Sequence, residues 1–304
     1  MNLFPNNAAR EIAARELKAR QSRRLSLLLA VLCALAVAHA ADTRKEAKLD
    51  IAAGGNVNIV NAGGSVTLHA APAGHQVLVA YTTHSDKIEV DQNTTANKQR
   101  IELRTHALTG QHPTADEAKV DYEISVPAGV SVNVTTTAAP ITADGLSGDI
   151  SLSSETGQIV VHNVAKSHLR VRSMNAPVSL TNVTLANVDV QSSGGPVHLN
   201  SVTGPRVTIG TANGAIDYHG DCAGGDYMFS THSGDIEMWL PASASVDLSA
   251  RSRTGSVDNE FPLQEKQHQI NPPVQGRSFA GTSNSGSSSV ELQSFSGKIR
   301  VKKQ

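Results

Sequence analysis

Residues 154–180, with the sequence SETGQIVVHNVAKSHLRVRSMNAPVSL, contain one full period of the repeat that decides the fold of this chain. An apolar residue marks each period, and these first-set residues are Ile141, Ile159, Val178, Val197, Ile216, Ile236 and Val257. A second set lies midway between them, at Ile150, Leu169, Val188, Val207, Tyr227 and Val246. A fixed period of about 20 residues is typical of a solenoid, in which each repeat buries its apolar side chains only against its neighbours.

Three further positions keep the same spacing relative to the first set. A serine or threonine stands five residues before each first-set residue, a glycine or alanine two before it, and a mostly apolar residue two after it. Apolar and polar residues alternate along each half-period, which predicts short half-buried strands. The glycines follow Thr, Gly, Asn or Ser, where we expect a turn with positive φ. Each coil of about 19 residues is therefore predicted to contain strand, turn, strand and turn.

The matching columns favour parallel stacking of these coils over an antiparallel meander. In a parallel solenoid each position stacks on its own equivalent at about 4.8 Å, so one residue type keeps one role in every coil. The Ser/Thr column can then donate hydrogen bonds along the stack or to the backbone of the turns. The predicted fold class is all-β, a parallel β-solenoid resembling a β-helix, with Met238 and Phe229 facing inward.

Composition agrees with a narrow β fold of one elongated domain. The 304 residues are 39% hydrophobic but only 3% aromatic, with 24 glycines, which suits coils with room for Val, Ile and Leu but few rings. Cys222 is the single cysteine after residue 40, so no internal disulfide is expected there, and a lone cysteine of this kind is typically buried.

Residues 1–40 are predicted to be a secretory signal peptide. Arg20, Arg23 and Arg24 precede an uncharged run from Leu25 to Ala38, and Ala38-His39-Ala40 forms an A-x-A cleavage site. The alternative is an uncleaved anchor, although the run is shorter than the roughly 20 residues of a membrane span. Export to the periplasm, the outer-membrane surface or the extracellular space is the expectation, with membrane contact only through an uncleaved leader.

The predicted mature chain is acidic. Of 26 basic and 27 acidic residues, residues 1–40 hold 6 and 2, which leaves 20 and 25 and a net charge of −5. That balance disfavours nucleic acid as a partner and leaves no polybasic membrane patch.

The regions flanking the repeat are less regular. Residues 41–54 are predicted as a linker and residues 55–135 as an irregular N-terminal β region that caps the solenoid. The repeat region spans residues 136–303, interrupted by a polar loop at residues 262–277. Its rhythm returns at Val290 and Ile299, and the charges of Lys302 and Lys303 are predicted to end the stack.

These features resemble a known family. Irregular strands ending in Val126-Pro127-Ala128-Gly129, units such as Ser233-Gly234-Asp235-Ile236, and the closing Ser296-Gly297-Lys298-Ile299-Arg300-Val301 resemble the bacterial putative-adhesin family of unknown function with β-strand repeats. They are also similar to the head domain of putative autotransporter adhesins. The resemblance covers about residues 45–303 and implies the fold, with no catalytic residue to carry over.

The most direct reading is a non-catalytic envelope module for binding, adhesion or scaffolding, whose partner is an envelope protein, a glycan or a second copy. A polysaccharide-active β-helix enzyme is the alternative, and it would need two or three carboxylates converging on a cleft. A partner of an envelope-stress sensor or regulator is a third. The sequence indicates no catalytic residue and no cofactor, and it lacks the HExxH and paired-Cys patterns of zinc sites.

Two features of the predicted outer face are candidate contacts. Trp239 faces outward by register, either as a surface contact for a glycan or partner or packed beneath the loop at residues 262–277. Asp217, Glu237 and Asp258 share one column, and direct stacking would place their carboxylates about 4.8 Å apart as a weak cation site. The alternative is a solvent-exposed acidic face that binds no ligand.

Expression with the native leader should give an exported protein that begins at Ala41, because the small residues of Ala38-His39-Ala40 suit signal peptidase. N-terminal sequencing of the exported protein measures this. Recovery of residues 1–24 on that protein would show that the leader stays attached as an anchor.

Overall fold

The computed structural model describes residues 42–265 and 275–304, which form β-strands joined by turns. The strands belong to a 12-stranded sheet and a 13-stranded sheet, here called the first and second sheets, and their inward side chains form a common apolar core. Within the described ranges, no helix has the length and apolar character needed to cross a membrane. The predicted signal peptide lies outside the described residues.

The first seven strands form one end of the stack. They are β1 (Thr43–Asp50), β2 (Asn56–Asn61), β3 (Gly63–Ala70), β4 (Gln76–Thr83), β5 (Ile88–Thr94), β6 (Arg100–Ala107) and β7 (Lys119–Val126). The predicted linker at residues 41–54 is wrong, because β1 pairs antiparallel with β4 along its whole length, from Thr43 to Asp50.

Twelve strands then build six regular coils, each giving one strand to each sheet. The strands in the second sheet are β8 (Ser131–Thr136), β10 (Asp149–Ser154), β12 (His168–Ser173), β14 (Asn187–Ser192), β16 (Arg206–Thr211) and β18 (Asp226–Thr231). Those in the first sheet are β9 (Ile141–Asp144), β11 (Ile159–His162), β13 (Val178–Val183), β15 (Val197–Val202), β17 (Ile216–His219) and β19 (Ile236–Leu240). Every adjacent pair within each of these two sets is parallel.

The predicted register is confirmed through these coils. Ile159 aligns with Ile141 on one side and Val178 on the other. Met238 and Phe229 are fully buried, as their register predicted, and Cys222 is also buried. The parallel β-solenoid is therefore the fold of this chain.

The hydroxyl column closes the turn of its own coil. Ser173 Oγ donates to the carbonyl of Ala176 at 2.7 Å and accepts from the Ala176 N–H at 3.0 Å. Thr211 Oγ1 donates in the same way to Gly214 O at 2.7 Å. Of the two predicted uses of this column, the bond to turn backbone is the one that recurs. It satisfies turn groups that would otherwise be buried without a partner.

The glycine column has a different cause from the one predicted. Gly157, Gly195 and Gly214 do not have positive φ. They are required because an added Cβ would lie 2.0–2.1 Å from a carbonyl oxygen of the preceding coil. The left-handed positions occur at the opposite turn, where Asn163 and Asn182 have φ of 55° and 54°. Asparagine tolerates that conformation better than most residues.

The six remaining strands contradict the predicted order of coils. They are β20 (Val246–Ser252), β21 (Val257–Asn259), β22 (Gln264–Glu265), β23 (Ser278–Thr282), β24 (Ser288–Ser294) and β25 (Ile299–Lys303). The last coil, β24–β25, lies between β18–β19 and β20–β21. Lys302 and Lys303 therefore do not end the stack. Within β20, Leu248 rather than Val246 aligns with Val290 of the second set.

The first coil is enclosed in the same manner at the other end. Strand β2 lies between β6 and β8 in the second sheet, and β3 lies between β7 and β9 in the first sheet. Periodicity identifies which residues share a column, but it does not give the order of the coils in the stack. A connection of irregular length lets the chain pass beyond the position of one coil and return to fill it later. Both ends of the stack are built in this way.

Replacing Gly214 with Val should lower the free energy of unfolding by about 2 kcal/mol or more, because the side chain would meet Gly195 O, 2.1 Å from the ideal Cβ position. Thermal or chemical unfolding measures the loss. Gly210→Ala is the matched control, since its nearest neighbour would be Ser230 Oγ at 3.7 Å. Equal losses in the two variants would contradict the close approach of the coils.

Candidate functional site

The predicted acidic column on the outer face of the first sheet is interrupted by a cation. Asp217 stacks beside Glu237 as predicted, but Arg300 lies between Glu237 and Asp258 because β25 is inserted there. The direct stacking of Glu237 on Asp258 is therefore wrong. Arg300 donates to Glu237 at 3.4 Å and lies 3.6 Å from the carboxylate of Asp235.

Each carboxylate of this column has a basic partner. Lys302 donates to Glu237, and Lys298 lies 2.6 Å from Asp258. His198 Nδ1 lies 3.0 Å from Asp217. A cation would have to compete with these groups, and across the described part of the chain no set of three His, Cys, Asp or Glu residues could hold a metal ion.

The ion pairs lower the pKa of two of these carboxyl groups. For Glu237 the hydrogen bond from Lys302 is the largest cause, partly opposed by burial, and for Asp258 it is the hydrogen bond from Lys298. A carboxyl with a lowered pKa stabilises the fold at pH values above its ordinary pKa, which is 4.5 for Glu237 and 3.8 for Asp258. That contribution is lost as the pH falls through the lowered pKa.

Trp239 lies on the outer face of the first sheet, but neighbouring side chains cover both faces of its ring. The His219 ring stacks on it with a centroid distance of 5.6 Å and an angle of 10°. The Lys302 ammonium lies 4.4 Å from the ring centroid. These neighbours come from the coils on either side, so a sugar ring cannot stack on Trp239 without displacing one of them. Residues 266–274 of the loop predicted at residues 262–277 lie outside the described residues, so the packing of Trp239 beneath that loop stays a prediction.

The outer face of the second sheet contains an open recess of about 650 Å³ that the sequence did not reveal. Its lining consists of polar, basic and aromatic residues: Thr211, Ser230, Thr231, His232, Arg251, Arg253, Gln293, Ser294 and Phe295. None of these lining residues carries a carboxylate, in contrast to the balanced charges of the first sheet. We call this recess the basic recess.

Three coils supply a stacked cluster to the basic recess. The His232 and Phe295 rings are stacked with centroids 4.8 Å apart and an angle of 8°. The Arg253 guanidinium, from the third coil, lies over the same Phe295 ring, 5.3 Å from its centroid. Phe295 is 40% exposed, so one edge of the stack remains open to solvent. The stacking holds the guanidinium in place before any ligand arrives.

The guanidinium groups of the basic recess are uncompensated. Among the described residues, neither Arg251 nor Arg253 forms an ion pair, and both side chains are exposed. Arg251 is an outward residue of β20, and Arg253 lies in the bend that directly follows this strand. Both side chains line the recess. Arginine in such a setting is suited to binding a planar anion.

The basic recess continues into a groove of about 810 Å³ that shares Thr211, Ser230 and His232 with it. Gly210 and Ala212 keep its floor low, and Arg172 and Met174 line its far side. The order β12, β14, β16, β18, β24, β20 places Arg172 five strand spacings, about 24 Å, from Arg251. The two openings together form one elongated polar surface.

A sequence signal for the recess existed. His232, Arg253 and Phe295 each follow directly after the hydroxyl column of their coil. Their order in space could not be predicted, because the order of the sequence places β24 outside β20. The structure instead inserts β24 between β18 and β20, which brings Phe295 next to His232.

The comparisons with known proteins identify the family. Residues 46–302 match the profile of Toastrack DUF4097. None of the curated proteins compared with the chain is similar to it by sequence. Among solved structures, a putative adhesin from Bacteroides fragilis has 11% identity and a TM-score of 0.47, covering 87% of this chain and 99% of its own. A putative adhesin from Parabacteroides distasonis has 13% identity and a TM-score of 0.36, and the match covers 86% of this chain and 97% of its own. Since these TM-scores are below 0.5, the assignment depends on the family profile.

Reversing the charge of Arg300 should test the interrupted column. We expect Arg300→Glu to lower the free energy of unfolding by about 1–2 kcal/mol at low salt, because it places a third carboxylate between Glu237 and Asp258. The loss should shrink in high salt. The matched control Arg300→Met removes the ion pairs without adding repulsion, so equal, salt-independent losses would contradict the assigned order of strands.

Proposed function

This chain belongs to the Toastrack DUF4097 family, and we propose that it is a non-catalytic binding or scaffold module exported to the bacterial cell envelope. The proposal places the binding surface on the outer face of the second sheet. The uncompensated guanidinium groups of the basic recess are the observation that carries it. Charges of this kind are conspicuous in a protein that pairs its first-sheet carboxylates so thoroughly.

Rigid placement supports a binding role for this face. Each outward side chain on β16, β18 and β24 belongs to a strand that is hydrogen-bonded on both sides. Side chains fixed by such a scaffold lose little freedom when a ligand arrives, which favours affinity. An extended surface of this sort suits a polymer better than a small molecule, which typically needs a deep pocket.

The arrangement of reactive groups favours binding over catalysis. The grooves described on the second sheet contain at most two carboxylates each, Asp149 with Asp189 or Glu155 with Asp189. Asp189 lies 3.7 Å from Arg170, and Asp149 lies 3.5 Å from His168. Burial raises the pKa of the Cys222 thiol to about 12, which keeps it protonated and unreactive at neutral pH. The polysaccharide-active enzyme is accordingly the weaker alternative.

A glycan array probed with the purified protein, together with capture from isolated cell envelopes, should test this function. We expect retention of a polymeric envelope ligand and no release of shortened products. Ser230→Tyr should abolish retention because the larger side chain fills the middle of the second-sheet face, where tyrosine is compatible with a strand.

Ser179→Tyr, on the outer face of the first sheet, is the matched control and should bind normally. Loss of binding in the control but not in Ser230→Tyr would move the site to the first sheet. Steady release of cleaved sugars would instead establish an enzyme.

A further inference from the structure

We infer that the basic recess and its groove bind an acidic polysaccharide, with Arg251 and Arg253 receiving its anionic groups. This inference rests on the proposed function, and it names the chemistry of the ligand. The shared requirement is a polymer with regularly placed carboxylate or sulfate groups, since a guanidinium can donate two parallel hydrogen bonds to either.

The charge of the recess is local. The whole chain has a formal net charge of −1, so general electrostatic attraction cannot draw a polyanion to it. Arg251 lies on β20 and Arg253 in the bend just after the end of that strand, so a single residue separates the two arginines and both line the recess. No carboxylate lines the recess, and neither arginine forms an ion pair among the described residues. The carboxylate of Glu291 lies beside the recess on β24, where it accepts a hydrogen bond from Gln293.

A second cationic point gives the surface its length. Arg172 lines the far side of the groove, about 24 Å from Arg251, and forms no ion pair among the described residues. The floor between them includes short polar or small residues such as Gly210 and Ser230. The groove lining also includes the carboxylates of Glu155 and Asp189, and Asp189 lies 3.7 Å from Arg170. A single anion fills one end of such a surface, whereas an extended polyanion can reach both.

A glycan fits this surface better than an acidic peptide. A peptide strand binds by pairing with a free sheet edge, but β16, β18 and β24 are interior strands whose backbone groups are already paired. Peptide recognition on a flat face would instead need apolar pockets. The groove offers hydroxyl and amide side chains, including Gln191 and Ser193, which can hydrogen-bond to sugar hydroxyl groups.

Calorimetric titration of the purified protein with four polymers should test the inference. The probes are polygalacturonate for carboxylate, dextran sulfate for sulfate, dextran as the neutral glycan and polyglutamate as the anionic peptide. We expect binding of at least one acidic glycan, weakening as salt rises, with no comparable binding of dextran or polyglutamate. Which acidic glycan binds identifies the source of the anionic group.

The double variant Arg251→Gln/Arg253→Gln should raise the Kd for that glycan about tenfold or more. Its matched control is Arg100→Gln/Arg104→Gln, which removes two exposed guanidinium groups from β6, nine strands away in the same sheet. The control should change the Kd less than twofold. Arg172→Gln should weaken binding of polygalacturonate or dextran sulfate chains but not of a disaccharide, which is too short to span the groove.

Thermal unfolding of the variants excludes loss of fold as the cause of weaker binding. Equal weakening by the two double variants, or binding of polyglutamate as tight as that of the glycans, would overturn the inference. So would tight binding of dextran that survives Arg251→Gln/Arg253→Gln. If that neutral binding is lost in Ser230→Tyr, the proposed function stands while the anionic ligand is wrong.

Discussion

At one turn of four of the six regular coils, a carbonyl oxygen of the preceding coil occupies the place where a Cβ atom would stand. The ideal Cβ positions of Gly195 and Gly234 are both 2.0 Å from such an oxygen. This contact allows only glycine or a locally adjusted alanine, and it holds adjacent coils in one register. The neighbouring hydroxyl then satisfies the backbone of the same turn. Since a slip of one residue would turn every inward side chain outward, the solenoid depends on this close approach.

Because the register is fixed, the sequence determines which outward side chains lie next to each other on the surface. Each outward column becomes a row of side chains at the spacing of strands, and the coils that meet in it decide whether charges cancel. On the first sheet, Arg300 separates Glu237 from Asp258, and each carboxylate of the column has a basic neighbour. On the second sheet, Arg251 and Arg253 have no such counterparts among the described residues. The same architecture thus yields one balanced face and one with an uncompensated positive end.

Much of this fold could be predicted from periodicity alone. Ile159, Val178 and their equivalents share columns because a parallel solenoid repeats its environment, and that logic needs no long-range information. The order of coils could not be predicted in this way, since every coil presents nearly the same pattern to both neighbours. The positions of Arg300 and Phe295 relative to Ile299 give their columns but not their level in the stack. The order of the coils is the common cause, and for the same reason neither the basic recess nor the interruption of the acidic column by Arg300 could be predicted.

The enclosed position of β24–β25 has a consequence for how the chain is made. A ribosome releases the N-terminal coils first, so β18 and β19 leave it with their outer edges exposed and their final partners not yet synthesised. The coil β20–β21 appears earlier and offers a competing parallel neighbour of similar pattern. The correct partner is synthesised only after β20–β21. This part of the stack is thus completed later than the coils before it, and open strand edges at that stage are where association with other nascent chains would begin.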